Sequence, residues 1–184
     1  IATGAEPREW GIEREKELVG RGVHYCAHCD GRFYKGKTVA VIGGGNSAVS
    51  DALYLSRLAK KVYLVHRRDT LRATKIYLDP LKKADNIEFL FDSTLVDIVA
   101  EPRVKQAKIK NLKSGEENYI DCDGIFISIG RSPTTALLNG AIPLDTQGYI
   151  IADESTRTPI DGVFAAGDVR TKTLRQIVTA VSDG

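Results

Sequence analysis

The stretch that decides the fold is Thr38-Val39-Ala40-Val41-Ile42-Gly43-Gly44-Gly45-Asn46-Ser47-Ala48. Its first five residues form an apolar and β-branched run, the pattern of a strand buried on both faces of a parallel sheet. The run ends in glycines. From Asn46 to Ala59 the residues Ala48, Val49, Ala52, Leu53 and Leu55 then recur at helical spacing, as in a helix that packs one side onto a sheet. Lys61 to Val65 is a second buried strand, so the unit is βαβ. In that context Gly43 to Ala48 fits G-x-G-x-x-A, the dinucleotide pattern. Gly43 permits the tight turn, Gly45 lets the backbone approach a pyrophosphate, and Ala48 keeps helix and strand close. The amides around Gly44, Asn46 and Ser47 and the positive end of the helix dipole would face the phosphates.

Where the second strand ends, a site for NAD would carry Asp or Glu to accept from the ribose hydroxyls. Here stand His66-Arg67-Arg68-Asp69, with Arg72 four residues after Arg68. Several guanidinium groups at that place match a 2′-phosphate, to which each can give paired, charge-assisted hydrogen bonds. The cofactor expected is NADPH. Downstream, the spacing predicts a helix over 74–84, interrupted by Pro80, and a strand over 87–91. Segments 94–101, 104–112 and 117–121, separated by turn residues, read as an antiparallel meander, and 124–129 returns as a buried strand.

Beyond Gly130 the character changes. Residues 130–161 hold three of the six prolines, and the pattern predicts only short strands over 149–152 and 163–166 before a helix beginning over 174–181. The expected architecture is α/β: a Rossmann-like βαβ dinucleotide-binding domain with an antiparallel meander over 6–129, and a second, partial lobe made of 1–5 and 130–184.

Upstream of the glycine turn lies Cys26-Ala27-His28-Cys29-Asp30-Gly31. Two residues between cysteines allow a small disulfide ring. A helix starting there would lower the first thiol's pKa toward about 7 and make exchange with a partner disulfide feasible. Asp30 can give a proton to a departing thiolate and later take one back. His28 could do the same, tune the thiols or simply face solvent. The third cysteine, Cys122, lies between Asp121 and Asp123, which disfavour a thiolate, and reads as structural. Three cysteines, only two of them in C-x-x-C, and no H-x-x-x-H pair argue against a zinc site.

The charges, 26 basic and 24 acidic, are spread along the chain without a basic stripe, which argues against nucleic-acid binding. No apolar run approaches the about 18 to 20 residues of a membrane-spanning helix, and the first residues lack the pattern of a secretory leader. A cytoplasmic protein is the default expectation.

Taken in order, Cys26 to Gly31, Gly43 to Ala48, and His66-Arg67-Arg68 with Arg72 resemble the low-molecular-weight thioredoxin reductase family. Ile129-Gly130-Arg131-Ser132-Pro133 resembles that family's return into its flavin lobe, and Thr158 to Val169 its second flavin motif. The resemblance covers nearly the whole chain. It implies that Cys29 faces the flavin, that Cys26 is the interchange thiol and that Asp30 is the acid. It also implies that Gly130, Gly167 and Asp168 contact FAD and that Arg175-Gln176 lies against the isoalloxazine. Electrons would pass from NADPH through FAD and the dithiol to oxidised thioredoxin, in a homodimeric parent whose lobes rotate. Ile1 to Ala5 resembles the end of the first flavin segment, so the chain is expected to be a fragment without the N-terminal FAD-binding unit. Two other readings are a relative of the alkyl hydroperoxide reductase flavoprotein, which prefers NADH, and a dinucleotide-binding module without turnover. The guanidinium cluster argues against the first.

Overall fold

Strands with apolar residues on both faces need cover on both sides, and the computed structural model, which describes residues 1–184, supplies it. In chain order the first elements are β1 (Ala5–Pro7), α1 (Glu15–Leu18), β2 (Val23–His24), α2 (Ala27–Asp30), β3 (Thr38–Ile42), α3 (Asn46–Ser56), β4 (Lys61–Val65) and α4 (Lys75–Leu81). There follow β5 (Ile87–Leu90), β6 (Ser93–Ala100), β7 (Val104–Asn111), β8 (Glu117–Asp121), β9 (Gly124–Ile127), β10 (Arg131–Pro133) and α5 (Ile177–Asp183). The chain divides into one unit of Glu9–Gly130 and another of Ile1–Arg8 with Arg131–Gly184.

In the first unit five strands run parallel in the order β2-β9-β3-β4-β5. On one face Ala48, Val49, Ala52 and Leu55 of α3 pack on Val39, Val41, Val62, Leu64 and Phe126, with Leu81 of α4 beside them. On the other face the meander β6-β7-β8 closes over Ala40, Ile42, Ile125 and Ile127 through Leu95, Ile98, Val104, Ala107 and Ile109. Each such side chain contributes about 1.5–3 kcal/mol of burial, and together they fix the sheet as a rigid base.

The second unit has little regular structure. β1 pairs antiparallel with β10, Glu6 opposite Ser132, and a small core gathers Leu138, Ile142, Ile150, Ala165 and Val169. The strands expected over 149–152 and 163–166 do not form. Ile150 makes only isolated bridges to Leu144 and Arg170, and Phe164 one to Arg157. Their apolar residues are explained by burial in this core without a ladder to join. α3 ends three residues before the expected Ala59, α4 is confined to Lys75–Leu81 with Pro80 in its last turn, and α5 starts at Ile177 rather than Leu174.

A buried charge cluster holds this second unit together. Asp183, at the end of α5 where the helix dipole disfavours an acid, accepts from Arg170 Nε at 3.0 Å and Nη2 at 2.8 Å, from Lys172 Nζ at 2.6 Å and from Gly167 N at 2.8 Å. These donors, Arg170 first, hold its carboxyl well below the usual carboxylate range against the opposing effect of burial. A depressed folded-state pKa contributes stability above the unfolded value, about 3.9, that is lost as pH falls through the folded value. Asp183→Ala should therefore cost about 3–5 kcal/mol, because it strands two cations with little solvent. Urea denaturation at pH 7 measures this loss. The variant's stability should also change less than the parent's below about pH 4.

Candidate functional site at the carboxyl edge of the parallel sheet

In an open parallel sheet, ligands bind beyond the carboxyl ends of the strands where the strand order reverses. That point is β3, with β4 on one side and β9 on the other. The segments of interest all leave the sheet at this edge: β2 runs into Cys26, β3 into Gly43, β4 into His66 and β9 into Ser128.

The glycine turn is shaped by what surrounds it. Gly43 has φ +148°, and a Cβ there would run into the Ser128 carbonyl oxygen and the Ala48 Cβ. At Gly44 a Cβ would fall on the His66 imidazole. Gly45, by contrast, has nothing within 4 Å of where a Cβ would stand, and leaves the backbone open to a ligand at the start of α3. Two hydrogen bonds stitch the next loop to this turn: Arg72 N donates to Gly44 O at 2.8 Å and Thr74 N to Asn46 Oδ1 at 2.9 Å. Gly43→Ala must displace backbone and should lower stability by roughly 2–3 kcal/mol, with loss of nucleotide binding. Thermal unfolding and an NADPH titration of the same sample check both.

Arg67, Arg68 and Arg72 are exposed and take part in no ion pair, so their donors are free. All three lie close enough to His66 to depress its protonation, an effect added to that of burial, which is the larger. His66 itself is only 5% exposed and wedged under Gly44. Its Nε2 is buried without a hydrogen-bond partner. Arg67, Arg68 and Arg72 thus lie near His66, whose ring packs against Gly44 of the turn.

Cys26 and Cys29 form a disulfide with Cα atoms 5.3 Å apart. Cys26 precedes the one-turn helix α2, and the Cys29 backbone N–H donates to its Sγ at 3.1 Å. That donor would also stabilise a Cys26 thiolate. His28 stacks on Tyr54 of α3, ring centroids 4.4 Å apart, with Nδ1 3.9 Å from Asp51 Oδ1. Asp51 in turn accepts from Ser128 Oγ at 2.6 Å. Burial raises the Asp51 pKa, partly offset by Ser128 and His28. Asp30 accepts from His24 Nδ1 at 3.0 Å, and His24 Nε2 lies 2.6 Å from Tyr34 Oη. Asp51, Tyr54, Ser128, His24 and Tyr34 escape the sequence reading because they are scattered through the chain. Only the position of His24, two residues before Cys26, hints at a role. Cys122 is buried under the meander, and burial, with Asp123 and Asp121, pushes its thiol up to about 12. No three His, Cys, Asp or Glu side chains converge as a metal site, and no helix is long and apolar enough to cross a membrane.

Gly130, the last residue of the first unit, is exposed with φ +104°. In the second unit Gly167 has φ +77° and opens a short turn containing the half-buried Asp168. The Arg175 guanidinium lies 4.0 Å over the Tyr149 ring, and its Nε is buried without a partner. Gln176 caps α5 together with Thr179.

A family model, described as pyridine nucleotide-disulphide oxidoreductase, matches residues 1–184. The chain belongs to the pyridine nucleotide-disulphide oxidoreductase family. Among curated proteins, the thioredoxin reductase of Listeria monocytogenes is 50% identical over 186 residues, covering 100% of this chain and 58% of that protein. That of Treponema pallidum is 47% identical, covering 100% and 60%. Of solved structures, Lactococcus lactis thioredoxin reductase in its FR conformation superposes with a TM-score of 0.84 at 44% identity, covering 100% of this chain and 61% of that one. The chain therefore spans about 60% of the length of the relatives it matches. Membership implies pyridine-nucleotide and disulphide chemistry, consistent with a glycine turn and a disulfide on one sheet edge.

Proposed function

We propose that this chain carries the nucleotide and dithiol parts of an NADPH-dependent flavoprotein disulfide reductase, which delivers electrons to oxidised thioredoxin. The observation that carries the reading is the shared sheet edge: dithiol, glycine turn and unpaired arginines follow β2, β3 and β4 of one parallel sheet at the same end. Residues 9–130 would bind NADPH. The open backbone at Gly45, the free α3 amides at Asn46 to Ala48 and the orphaned His66 Nε2 fit a dinucleotide, while Arg67, Arg68 and Arg72 fit its 2′-phosphate. Residues 1–8 and 131–184, with the boundary residue Gly130, would contribute to the FAD site through Gly167, Asp168, Arg175 and Gln176, and the unpartnered Arg175 Nε is a donor that fits an acceptor-rich group. When bound, the two cofactors supply a hydride and relay its electron pair to the disulfide.

The protein's own residues handle sulfur and proton. Cys26, with a backbone donor at its Sγ, attacks the partner disulfide, Cys29 closes the ring again, and Asp30 moves the proton. The arginines favour NADPH over NADH, and this separates the reading from that of an NADH-preferring hydroperoxide reductase flavoprotein. The test uses the full-length protein loaded with FAD: NADPH-dependent reduction of thioredoxin, followed by free thiol release, supports the proposal. Turnover with NADH at equal efficiency, or no reduction of the Cys26–Cys29 disulfide, overturns it.

A further inference from the structure

His24 is buried at the end of β2, two residues before the disulfide, and its two ring nitrogens are both engaged. An ionised carboxylate can only accept, so the 3.0 Å contact to Asp30 Oδ2 requires the proton on Nδ1. In the neutral ring Nε2 is then an acceptor, and the Tyr34 hydroxyl at 2.6 Å must donate to it. The ring is fixed from its flat side as well, stacked on Phe126 at 5.2 Å, while Tyr34 meets it edge-on at 5.3 Å. The outcome is a directed chain, Tyr34 to His24 to Asp30, ending on the carboxylate that follows Cys29.

We propose that His24 is a positioning residue for disulfide exchange: it aims the Asp30 carboxylate and shares with it the proton that a departing thiolate takes up. This rests on the reading of Cys26–Cys29 as an exchangeable pair. The charged groups acting on His24 are Asp30, which favours its protonation, and Arg103, which opposes it along with burial. Tyr34 feels Arg103, Asp30 and Asp123, with Lys37 Nζ 5.5 Å from its ring centroid.

The step is balanced with dithiothreitol as reductant. One of its thiols gives its proton to the His24–Asp30 pair as the thiolate forms and attacks a cysteine sulfur; the bond between the cysteines breaks, and the other sulfur leaves as thiolate and takes that proton from the pair. The second dithiothreitol sulfur then displaces the first cysteine, which takes up the second thiol's proton, and closes the probe's own ring. Two electrons and two protons pass from the probe to the protein, two thiols result, and the pair ends in the protonation state in which it began.

The experiment uses the 184-residue chain itself, without cofactor or protein partner. Reduction by dithiothreitol is followed from pH 5.5 to 9, with rates normalised to the probe's thiolate, for wild type, H24L, H24Q and D30N. H24L should slow about tenfold. H24Q, which keeps an amide donor toward Asp30 without titrating, should recover most of the rate but lose the inflection contributed by the pair. In parallel, nitrogen-15 imidazole spectra should show His24 protonated on Nδ1 in the oxidised chain, with a titration that shifts once the disulfide is opened. H24Q guards against misfolding of H24L, and circular dichroism verifies each variant. A single pH profile shared by wild type, H24L and H24Q, or a His24 proton on Nε2 in both redox states, overturns the proposal for His24 alone. A disulfide that dithiothreitol cannot open removes the exchangeable pair as well.

Discussion

Replacing Arg67 and Arg68 together with alanine is expected to weaken NADPH binding to this chain about 100-fold and to leave NADH binding within about twofold. Hydrogen bonds to charged groups contribute about 1.5–3 kcal/mol each. Both guanidinium groups are exposed, which places them toward the lower figure. Two such losses come to about 3 kcal/mol, and 1.4 kcal/mol is a factor of ten. Arg72 remains in the double variant, so some preference for the phosphate should survive. The discrimination should also fade with salt, because the Debye length falls from about 10 Å at 0.1 M to about 3 Å at 1 M. Isothermal titration with each nucleotide at two ionic strengths measures both effects. Parallel losses for NADH and NADPH would mean that the substitutions disturb the turn and not a phosphate contact. His66→Ala provides the contrast. Its ring is buried under Gly44, so it should cost stability and weaken both nucleotides alike.

The parts of this arrangement that follow a period or a punctuation mark are legible in the chain. Thr38–Ile42 and Lys61–Val65 coincide with β3 and β4 residue for residue because a doubly buried strand shows as an unbroken apolar run between turns. The meander shows through its turns. What is hidden is short or non-local. β2 is two residues long, and Val23-His24 becomes a strand only because β9 offers it an edge; its register, Val23 opposite Ile125, spans a hundred residues. The same strand sets His24 toward Asp30, so the unseen element and the unseen side chain are one omission. Tyr149 to Ala152 shows the opposite failure, since apolar residues needed by a small core carry the same pattern as a strand. His66 shows a third. The sequence places it with the arginines as a cofactor-binding residue, and only the fold reveals that its ring lies against Gly44.

The two cysteines, equal in sequence, should prove unequal in reactivity. After reduction, the Cys26 sulfur retains a backbone donor in the Cys29 N–H, whereas Cys29 is the more exposed and has no such donor. A thiolate gains from hydrogen bonding and from a helix start, so Cys26 should ionise first and react first. Limited alkylation of the reduced chain with iodoacetamide at pH 7, read by peptide mass, should modify Cys26 at least about tenfold faster than Cys29, one pKa unit being a factor of ten in thiolate. Each serine variant then has its own signature. Cys29→Ser leaves the attacking sulfur without its resolving partner and should accumulate a stable mixed disulfide with an oxidised thioredoxin-like protein. Cys26→Ser should form almost none. Both should abolish turnover of the flavin-loaded full-length protein, because neither can open and close the ring. Alkylation of Cys29 first, or a mixed disulfide trapped equally well by both variants, would reverse the roles assigned to the two sulfurs. Cys122 serves as the internal control: with its thiol pushed up to about 12 and buried under the meander, it should stay unmodified until the chain unfolds.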